Sequence, residues 1–398
     1  MQAVYQLVIN APIIFIVIFA CLAAFFVYTI VRFLEKQWKS RKEMPAERIE
    51  HALERHENNP VLAPLPHKDW EAVGTFNPAA VKDDEGSVHL LYRAIGKDGL
   101  SRVGHAKSKD GLKFDHRSSY PVYISKLSRK TNSDPTDRPK TYNPVIYTSG
   151  GGWGGCEDPR AVVIDGRLYM SYTAFEGWDS VCIGITSISM EDLKHSRWNW
   201  MEPMFASAPG EVNKNWVLFP EKINGKFAVL HSISPEIQVD FIDEINSKNT
   251  KYIKSVPPSG GRPDHWDNWV RGAGPPPVKT SLGWLLLYHA MDKKDPNKYK
   301  LGCMILDLKD PTKVLYRSNG PVLEPNMPYE NDWKPGVVYA SGALIIGKDL
   351  VVYYGGGDKY VCVAQTPLKQ LLDWMVEHGK VGPGAEQEVE QEAEPKEE

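Results

Sequence analysis

Gly155-Cys156-Glu157-Asp158-Pro159-Arg160 runs directly into the apolar stretch Ala161-Val162-Val163-Ile164, and after a short turn comes Arg167-Leu168-Tyr169-Met170-Ser171-Tyr172. A proline-marked entry, an apolar run, a turn and an alternating stretch ending in an aromatic residue read as two paired β-strands. The unit recurs as Phe76-Asn77-Pro78-Ala79-Ala80-Val81 with Val88-His89-Leu90-Leu91-Tyr92-Arg93. It recurs again as Leu218-Phe219-Pro220-Glu221-Lys222-Ile223 with Lys226-Phe227-Ala228-Val229-Leu230-His231. A fourth copy joins Gly274-Pro275-Pro276-Pro277-Val278 to Trp284-Leu285-Leu286-Leu287-Tyr288-His289, and a fifth joins Ser341-Gly342-Ala343-Leu344 to Leu350-Val351-Val352-Tyr353-Tyr354. Several copies continue into a further strand such as Arg102-Val103-Gly104-His105-Ala106, echoed by Cys182-Ile183-Gly184-Ile185. Five units, about sixty to eighty residues apart, predict an all-β fold, a five-bladed β-propeller. A β-sandwich matches the strand lengths and leaves the fivefold recurrence unexplained.

The 398 residues suffice for one large all-β domain with additions at its ends. With 32 glycines and 30 prolines, many short strands joined by turns are favoured over a helical bundle. A net charge of -3 gives no electrostatic reason to expect nucleic acid as a partner. The five cysteines are scattered and never form C-x-x-C, so neither a disulfide framework nor a zinc site is expected, and a reducing compartment suits them.

Residues 11–31 carry no charge and are rich in Ile, Phe, Val and Ala, which is long enough for one transmembrane helix. A cleaved signal peptide fits less well, because no basic segment precedes the run and no small-residue cleavage site follows it. Arg32, Lys36, Lys39, Arg41 and Lys42 come next, and by the positive-inside rule the bulk of the chain is expected in the cytoplasm. The expected order is a short segment 1–10, a membrane helix 11–32, a charged juxtamembrane helix or spacer 33–59, the propeller 60–375 and a disordered acidic tail 376–398.

In a propeller the entry segments surround one axis, so Asn77, Asp158, Lys222 and Arg271 can share a funnel. Glycosidic cleavage needs a proton for the leaving oxygen and a nucleophile for the anomeric carbon. If the nucleophile is phosphate, cations that hold it replace a second carboxylate. Asp158 would supply the proton, and Arg93, Arg160, Lys214, Lys222, Arg271 and His231 are the available cations or donors. Trp153, Trp178, Trp216, Trp269 and Tyr339 could offer faces to sugar rings. The plainer alternatives are that an Asp before Pro only shapes a turn, that Lys222 is a solvated strand-end charge, and that His231 and the aromatics are packing residues. Gly150, Gly152 and Gly155 match a G-x-G-x-x-G spacing, but an acidic strand start follows instead of a helix, so a nucleotide loop is rejected.

These segments resemble glycoside hydrolase family 130, the β-mannoside phosphorylases and related β-mannosidases. The resemblance rests on Phe76-Asn77-Pro78-Ala79-Ala80, Leu91-Tyr92-Arg93-Ala94, Ser101-Arg102-Val103-Gly104-His105-Ala106 and Gly155-Cys156-Glu157-Asp158-Pro159-Arg160. It continues through Phe219-Pro220-Glu221-Lys222-Ile223-Asn224-Gly225-Lys226, Gly272-Ala273-Gly274-Pro275-Pro276-Pro277 and Tyr353-Tyr354-Gly355-Gly356-Gly357-Asp358. It implies a five-bladed propeller, no metal, inversion, and Asp158 as general acid acting through a sugar hydroxyl. Substrate contacts are then expected from Asn77, Arg93, Arg160, Lys222, His231, Tyr339 and Asp358, and phosphate contacts from Lys214, Asn215 and Arg271; Glu157 is read as structural.

One departure is Ser232, where phosphorylases of the family commonly carry an arginine. Hydrolytic members use glutamates instead, for which Glu211, Glu236 and Glu244 are the candidates. The expected activity is therefore cleavage, or formation in reverse, of β-mannosidic bonds with phosphate as co-substrate. An inverting hydrolase and a non-catalytic, membrane-tethered glycan-binding propeller are the alternatives. The loops 126–144 and 240–266 carry no readable motif for the leaving-group sugar.

Overall fold

Successive β-strands in this chain are built around a repeated pairing of tyrosine with glycine. Tyr92 lies opposite Gly104, Tyr172 opposite Gly184 and Tyr288 opposite Gly302 on neighbouring antiparallel strands. A Cβ at any of these glycines would come within 2.6 Å of the tyrosine ring, so the ring covers the bare backbone. The computed structural model of the chain describes residues 28, 29, 32, 53–125, 150–175, 181–248, 251–256, 259–379 and 381.

Two compact units divide the chain, Met1–Arg48 and Ile49–Glu398. In the first, Arg32 Nε donates to the Tyr28 hydroxyl at 3.1 Å, one helical turn away. Among the described residues no helix is long and apolar enough to cross a membrane. The span expected over 11–32 lies outside the described residues except at 28, 29 and 32, as does the tail from 382 onward.

Among the described residues the second unit holds five antiparallel strand groups. The first contains β2 (Gly74–Lys82), β3 (Val88–Ile95), β4 (Leu100–Ser108) and β5 (His116–Arg117), and it follows β1 (Glu54–Arg55) in the chain. The second contains β6 (Gly154–Ile164), β7 (Arg167–Phe175), β8 (Val181–Ser189) and β9 (Met204–Phe205); the third β10 (Val217–Leu218), β11 (Phe227–Ile233) and β12 (Ile237–Ile242). The fourth comprises β13 (Trp269–Ala273), β14 (Val278–Thr280), β15 (Gly283–Asp292), β16 (Asp295–Leu306) and β17 (Val314–Arg317). The fifth comprises β18 (Val338–Ile346), β19 (Asp349–Gly356) and β20 (Tyr360–Pro367), with β1 added antiparallel to β20. The first two groups share one sheet through a short parallel contact of β4 with β6.

Apolar cores lie between consecutive groups. One joins the first and second through Leu91, Val103, Met170 and Tyr172. The next joins the second and third through Ile183, Trp216 and Phe227. Then come the third and fourth through Phe219 and Trp284, and the fourth and fifth through Leu287, Cys303 and Tyr354. Tyr92 and Leu90 pack against Tyr353 and Val363, so the fifth group returns to the first. The helix Leu368–His378 buries Leu371, Leu372, Trp374 and Met375 in the core between the fourth and fifth groups.

Two local expectations change. Glu54 and Arg55, read as part of a charged helix or spacer, form β1, because edge pairing with β20 supplies backbone partners that a short polar helix lacks. Pro220 and Glu221 form a bend and Ile223 makes an isolated bridge with Lys226 rather than continuing a strand entry, so that Val217–Leu218 are the β10 residues paired with β11. In the fourth group the prolines 275–277 separate β13 from β14, as expected for residues without a backbone N–H.

Candidate active site

Bulges in the entry strands aim the site. The register of β2 shifts between Phe76 and Ala79, and that of β6 between Glu157 and Arg160. A bulge leaves a residue unpaired and redirects its side chain. Asn77 at φ 48° and Asp158 at φ 49° are those residues, each followed by proline. Their side chains meet, with Asn77 Nδ2 donating to Asp158 Oδ1 at 2.8 Å. Just upstream, Gly155 at φ 105° lets β6 approach β4, since a Cβ there would stand 2.1 Å from the Ser101 carbonyl oxygen.

Arg93, 1% exposed, bridges the two carboxyls of the Glu157-Asp158 pair. Its Nη2 donates to Glu157 Oε1 at 2.8 Å, its Nη1 to Asp158 Oδ1 at 3.1 Å and its Nε to Ser101 Oγ at 3.1 Å. The Phe76 ring lies beneath its guanidinium at 4.9 Å. Glu157 Oε2 accepts from Lys214 Nζ at 3.0 Å, so this fully buried glutamate is held between two cations. Burial alone would raise the Asp158 carboxyl, but Arg93, Lys214 and Arg160, with the Asn77 hydrogen bond, outweigh it and bring it down to about 2. Asp158 is therefore ionised at neutral pH until something reduces the positive field around it.

Arg160 turns the other way along β6. Its Nε donates to the Gly274 carbonyl at 2.7 Å, Nη1 to the Asp158 carbonyl at 3.1 Å, and Nη2 to Asn215 Oδ1 at 3.0 Å and the Tyr339 hydroxyl at 2.8 Å. The Tyr339 hydroxyl also donates to Asn215 Oδ1, and Asn215 Nδ2 donates to the Arg271 carbonyl at 3.1 Å. Asn215 itself sits at φ 65° and packs under Gly272, where a Cβ would stand 2.8 Å from its Nδ2. Tyr339 stacks on His289 with centroids 4.2 Å apart, and His289 Nε2 accepts from the Ala340 N–H at 3.0 Å. Burial and the Arg160 charge push His289 down to about 3, so it is neutral here. Burial also pushes the neighbouring Tyr299 up to about 12, against the pull of Arg271. Arg271 is exposed and lies over the Trp269 ring at 4.7 Å.

Of the residues expected at the site, Asp158, Asn77, Arg93, Lys214, Asn215, Arg160 and Tyr339 form one hydrogen-bonded assembly, with Arg271 joined through its carbonyl. Asp358, at φ 52°, adds its charge to the field around Arg93 and pairs with Lys334 at 3.1 Å. Arg160, expected to contact substrate, instead directs its donors at protein acceptors and ties β6 to β13 and β18. Lys222 is elsewhere: its Nζ pairs with Asp165 at 2.8 Å, in the turn just past the end of β6, seven residues beyond Asp158 and roughly 20 Å away along the strand direction. His231 is buried against Trp216 and pairs with Asp240 at 3.1 Å. Ser232 is buried, with its hydroxyl donating to the Ser234 carbonyl at 3.3 Å. Glu211, Glu236 and Glu244 are exposed.

Trp216 is a core residue, Trp153 donates its Nε1 to the Asp98 carbonyl at 2.6 Å, and Trp178 lies outside the described residues. Sequence reading had no role for Phe76, Ser101 or Tyr299. Ser101 carried a signal, since it opens the stretch Ser101-Arg102-Val103-Gly104-His105; Tyr299 carried none. Three cations, Arg93, Lys214 and Arg160, surround two carboxylates, Glu157 and Asp158, and Arg271 joins the assembly through its backbone carbonyl. Such a site can draw in an anion and, once that anion offsets the positive field, relay a proton through Asp158 to a leaving oxygen. Among the described residues no group of three or more His, Cys, Asp or Glu is arranged to hold a metal ion.

The family profile Glyco_hydro_130, described as beta-1,4-mannooligosaccharide phosphorylase, matches residues 52–377. The 1,2-beta-oligomannan phosphorylase of Thermoanaerobacter sp. (strain X514) is 35% identical over 333 residues, covering 80% of this chain and 98% of that protein. A beta-1,2-mannobiose phosphorylase of the same organism is 35% identical over 326 residues, covering 78% and 96%. The crystal structure of a glycosyl hydrolase from Bacteroides ovatus superposes with a TM-score of 0.62 at 25% identity, covering 80% of this chain and 94% of that one.

Proposed function

The chain belongs to glycoside hydrolase family 130, the mannoside phosphorylase family, and from that premise we propose that it cleaves β-mannosidic bonds by phosphorolysis with inversion, releasing mannose 1-phosphate. The observation that carries this reading is the electrostatic make-up of the site. An inverting hydrolase needs a second carboxylate to activate water. Here the carboxylate beside Asp158 is Glu157, and it is already held by Arg93 and Lys214. The surplus cations suit an anionic nucleophile instead.

The proton balance fits. Mannoside and hydrogen phosphate give mannose 1-phosphate and an alcohol with no net proton consumed, because the proton phosphate brings is the one the leaving oxygen takes. Asp158 has only to pass it on. Phosphate bound near Lys214 and Arg271 would offset the positive charge that holds Asp158 at about 2, raising its affinity for that proton when the nucleophile is present. Ser232, standing where an arginine is common in phosphorylases, favours inverting hydrolysis as the second reading.

The five strand groups are read as the blades of a five-bladed propeller, with β1 closing the fifth; cyclic packing of their cores supports this. The apolar residues 11–31 are proposed to anchor the protein as a single span with the catalytic unit in the cytoplasm, on the basis of the basic residues that follow.

The test is turnover by the full-length chain in lipid nanodiscs with a panel of β-mannosides, beginning with β-1,2-linked manno-oligosaccharides, with and without phosphate. Phosphate-dependent release of mannose 1-phosphate is expected. Mannose released equally without phosphate would replace phosphorolysis by hydrolysis, and no turnover on any substrate would reduce the protein to a glycan-binding propeller.

A further inference from the structure

Four residues before Arg93 along β3, and roughly 13 Å away at 3.3 Å per residue, His89 begins a second polar constellation. Its Nε2 meets Asp83 Oδ2 at 3.0 Å and its Nδ1 meets His105 Nε2 at 2.9 Å, all three residues being buried. The carboxylate can only accept, so His89 carries its proton on Nε2 and accepts at Nδ1 from the His105 Nε2–H. His105 is then left with a lone pair on Nδ1. Burial pushes His105 down to about 3, which keeps it neutral and that lone pair available.

His105 lines a cavity of about 830 Å³ between the first strand group and the segment that follows β8. The volume falls among small-ligand sites, roughly 300–1,000 Å³. Trp198, half-buried, sets its ring 4.9 Å from His105 at 61° and supplies an aromatic wall. Five serines also line the cavity, among them Ser118 and Ser119. Its lining mixes basic residues (Lys107, Lys109, Lys113, Arg117) with acidic ones (Glu85, Asp110, Asp115), and three of the basic ones are compensated: Lys107 lies 3.5 Å from Asp83, Lys113 3.4 Å from Asp115 and Arg117 2.7 Å from Glu71. Compensated charge selects neither an anion nor a cation. Hydroxyls, long polar side chains, a fixed acceptor and an aromatic surface are the groups that recognise a neutral polyhydroxylated ring, one apolar face and many O–H groups at once.

We propose that this cavity is a second carbohydrate-binding site, separate from the catalytic cluster, that takes a segment of a neutral oligosaccharide. That the sugar is a β-mannoside rests on the function proposed above. A site of this kind raises the effective concentration of long chains near the catalytic centre and leaves short substrates unaffected.

The experiment is calorimetric titration of the full-length Asp158→Asn chain, chosen for its slowed turnover, in lipid nanodiscs rather than a sugar-headed detergent. A β-mannobiose, a longer β-oligomannoside and inorganic phosphate are the probes. Two oligomannoside sites per chain are expected. Trp198→Ala should weaken one at least about tenfold, equivalent to ~1.4 kcal/mol, and leave the other unchanged. Ser119→Trp, at an exposed position, fills the cavity without touching the core and should do the same. A single site in the parent, two sites surviving both substitutions, or phosphate competing at the Trp198-dependent site would each overturn the proposal. Turnover by the unsubstituted enzyme is measured separately, so active enzyme with one binding site removes this inference alone. An inactive chain that still shows a Trp198-dependent sugar site removes only the catalytic reading.

Discussion

Asn77 and Asp158 occupy the same backbone position in two successive strand groups, each at positive φ before a proline, and the first donates to the second at 2.8 Å. The repeat thus delivers a donor and a carboxylate to one point. Asn77→Ala leaves Asp158 short of a donor and places a residue that disfavours the left-handed region at φ 48°. A loss of roughly 1–3 kcal/mol in unfolding free energy is expected, together with an upward move of the acid limb of kcat/KM. An unchanged pH profile would mean that the hydrogen bond does not tune Asp158.

Asp158→Asn keeps the shape and tolerates φ 49° but has no proton to pass. Turnover should fall by about 10²–10⁴-fold with little change in circular dichroism. Near-normal activity would take the acid role from Asp158. Stability should also respond to acid. A carboxyl lowered from 3.8 to about 2 contributes stability that is complete above about pH 4 and is lost as pH falls through 2. Urea unfolding across that window should show Asp158→Asn with a shallower acid slope than the parent.

Glu157 has a different task, as the buried counter-charge that holds Arg93 and Lys214 in place. Glu157→Gln leaves two cations under-compensated and should destabilise the fold by roughly 3–5 kcal/mol, read as a lower thermal midpoint. A variant as stable as the parent would show that Glu157 is not the structural counter-charge.

Arg271 is the exposed cation of the assembly, and its guanidinium rests on Trp269. Arg271→Ala should raise the KM for phosphate with a smaller effect on kcat. Equal KM values with and without the substitution would place phosphate elsewhere.

Gly155 carries the close approach of β4 and β6. A methyl group there would meet the Ser101 carbonyl oxygen at 2.1 Å and the Ser101 carbonyl carbon and nitrogen at 3.0 Å, backbone atoms that have no flexible side chain to give way, so Gly155→Ala should unfold or strongly destabilise the chain. Gly225→Ala, also at positive φ but with nothing within 4 Å, is the matched control and should cost only about 1–2 kcal/mol. Similar midpoints for the two variants would contradict the close contact.

The amino-acid sequence by itself determined the recurring unit, because apolar alternation, turn glycines and proline-marked entries are local properties that survive without their neighbours. Asp158 and Asn77 were legible for the same reason: each belongs to a short entry segment whose bulge is encoded in a few residues. Lys222 looked equivalent to them, yet the bend at Pro220 and Glu221 pairs it with Asp165, in the turn beyond the far end of β6. Glu54 and Arg55 looked like a charged spacer and became a strand only because β20 offered an open edge. Likewise Arg160 read as a free guanidinium until Gly274, Asn215 and Tyr339, distant in sequence, converged on it. Those outcomes depend on register and on contacts between groups more than fifty residues apart, and a one-residue slip in register exchanges the two faces of a strand. Only the tertiary structure decides which of several similar cations stands beside the acid.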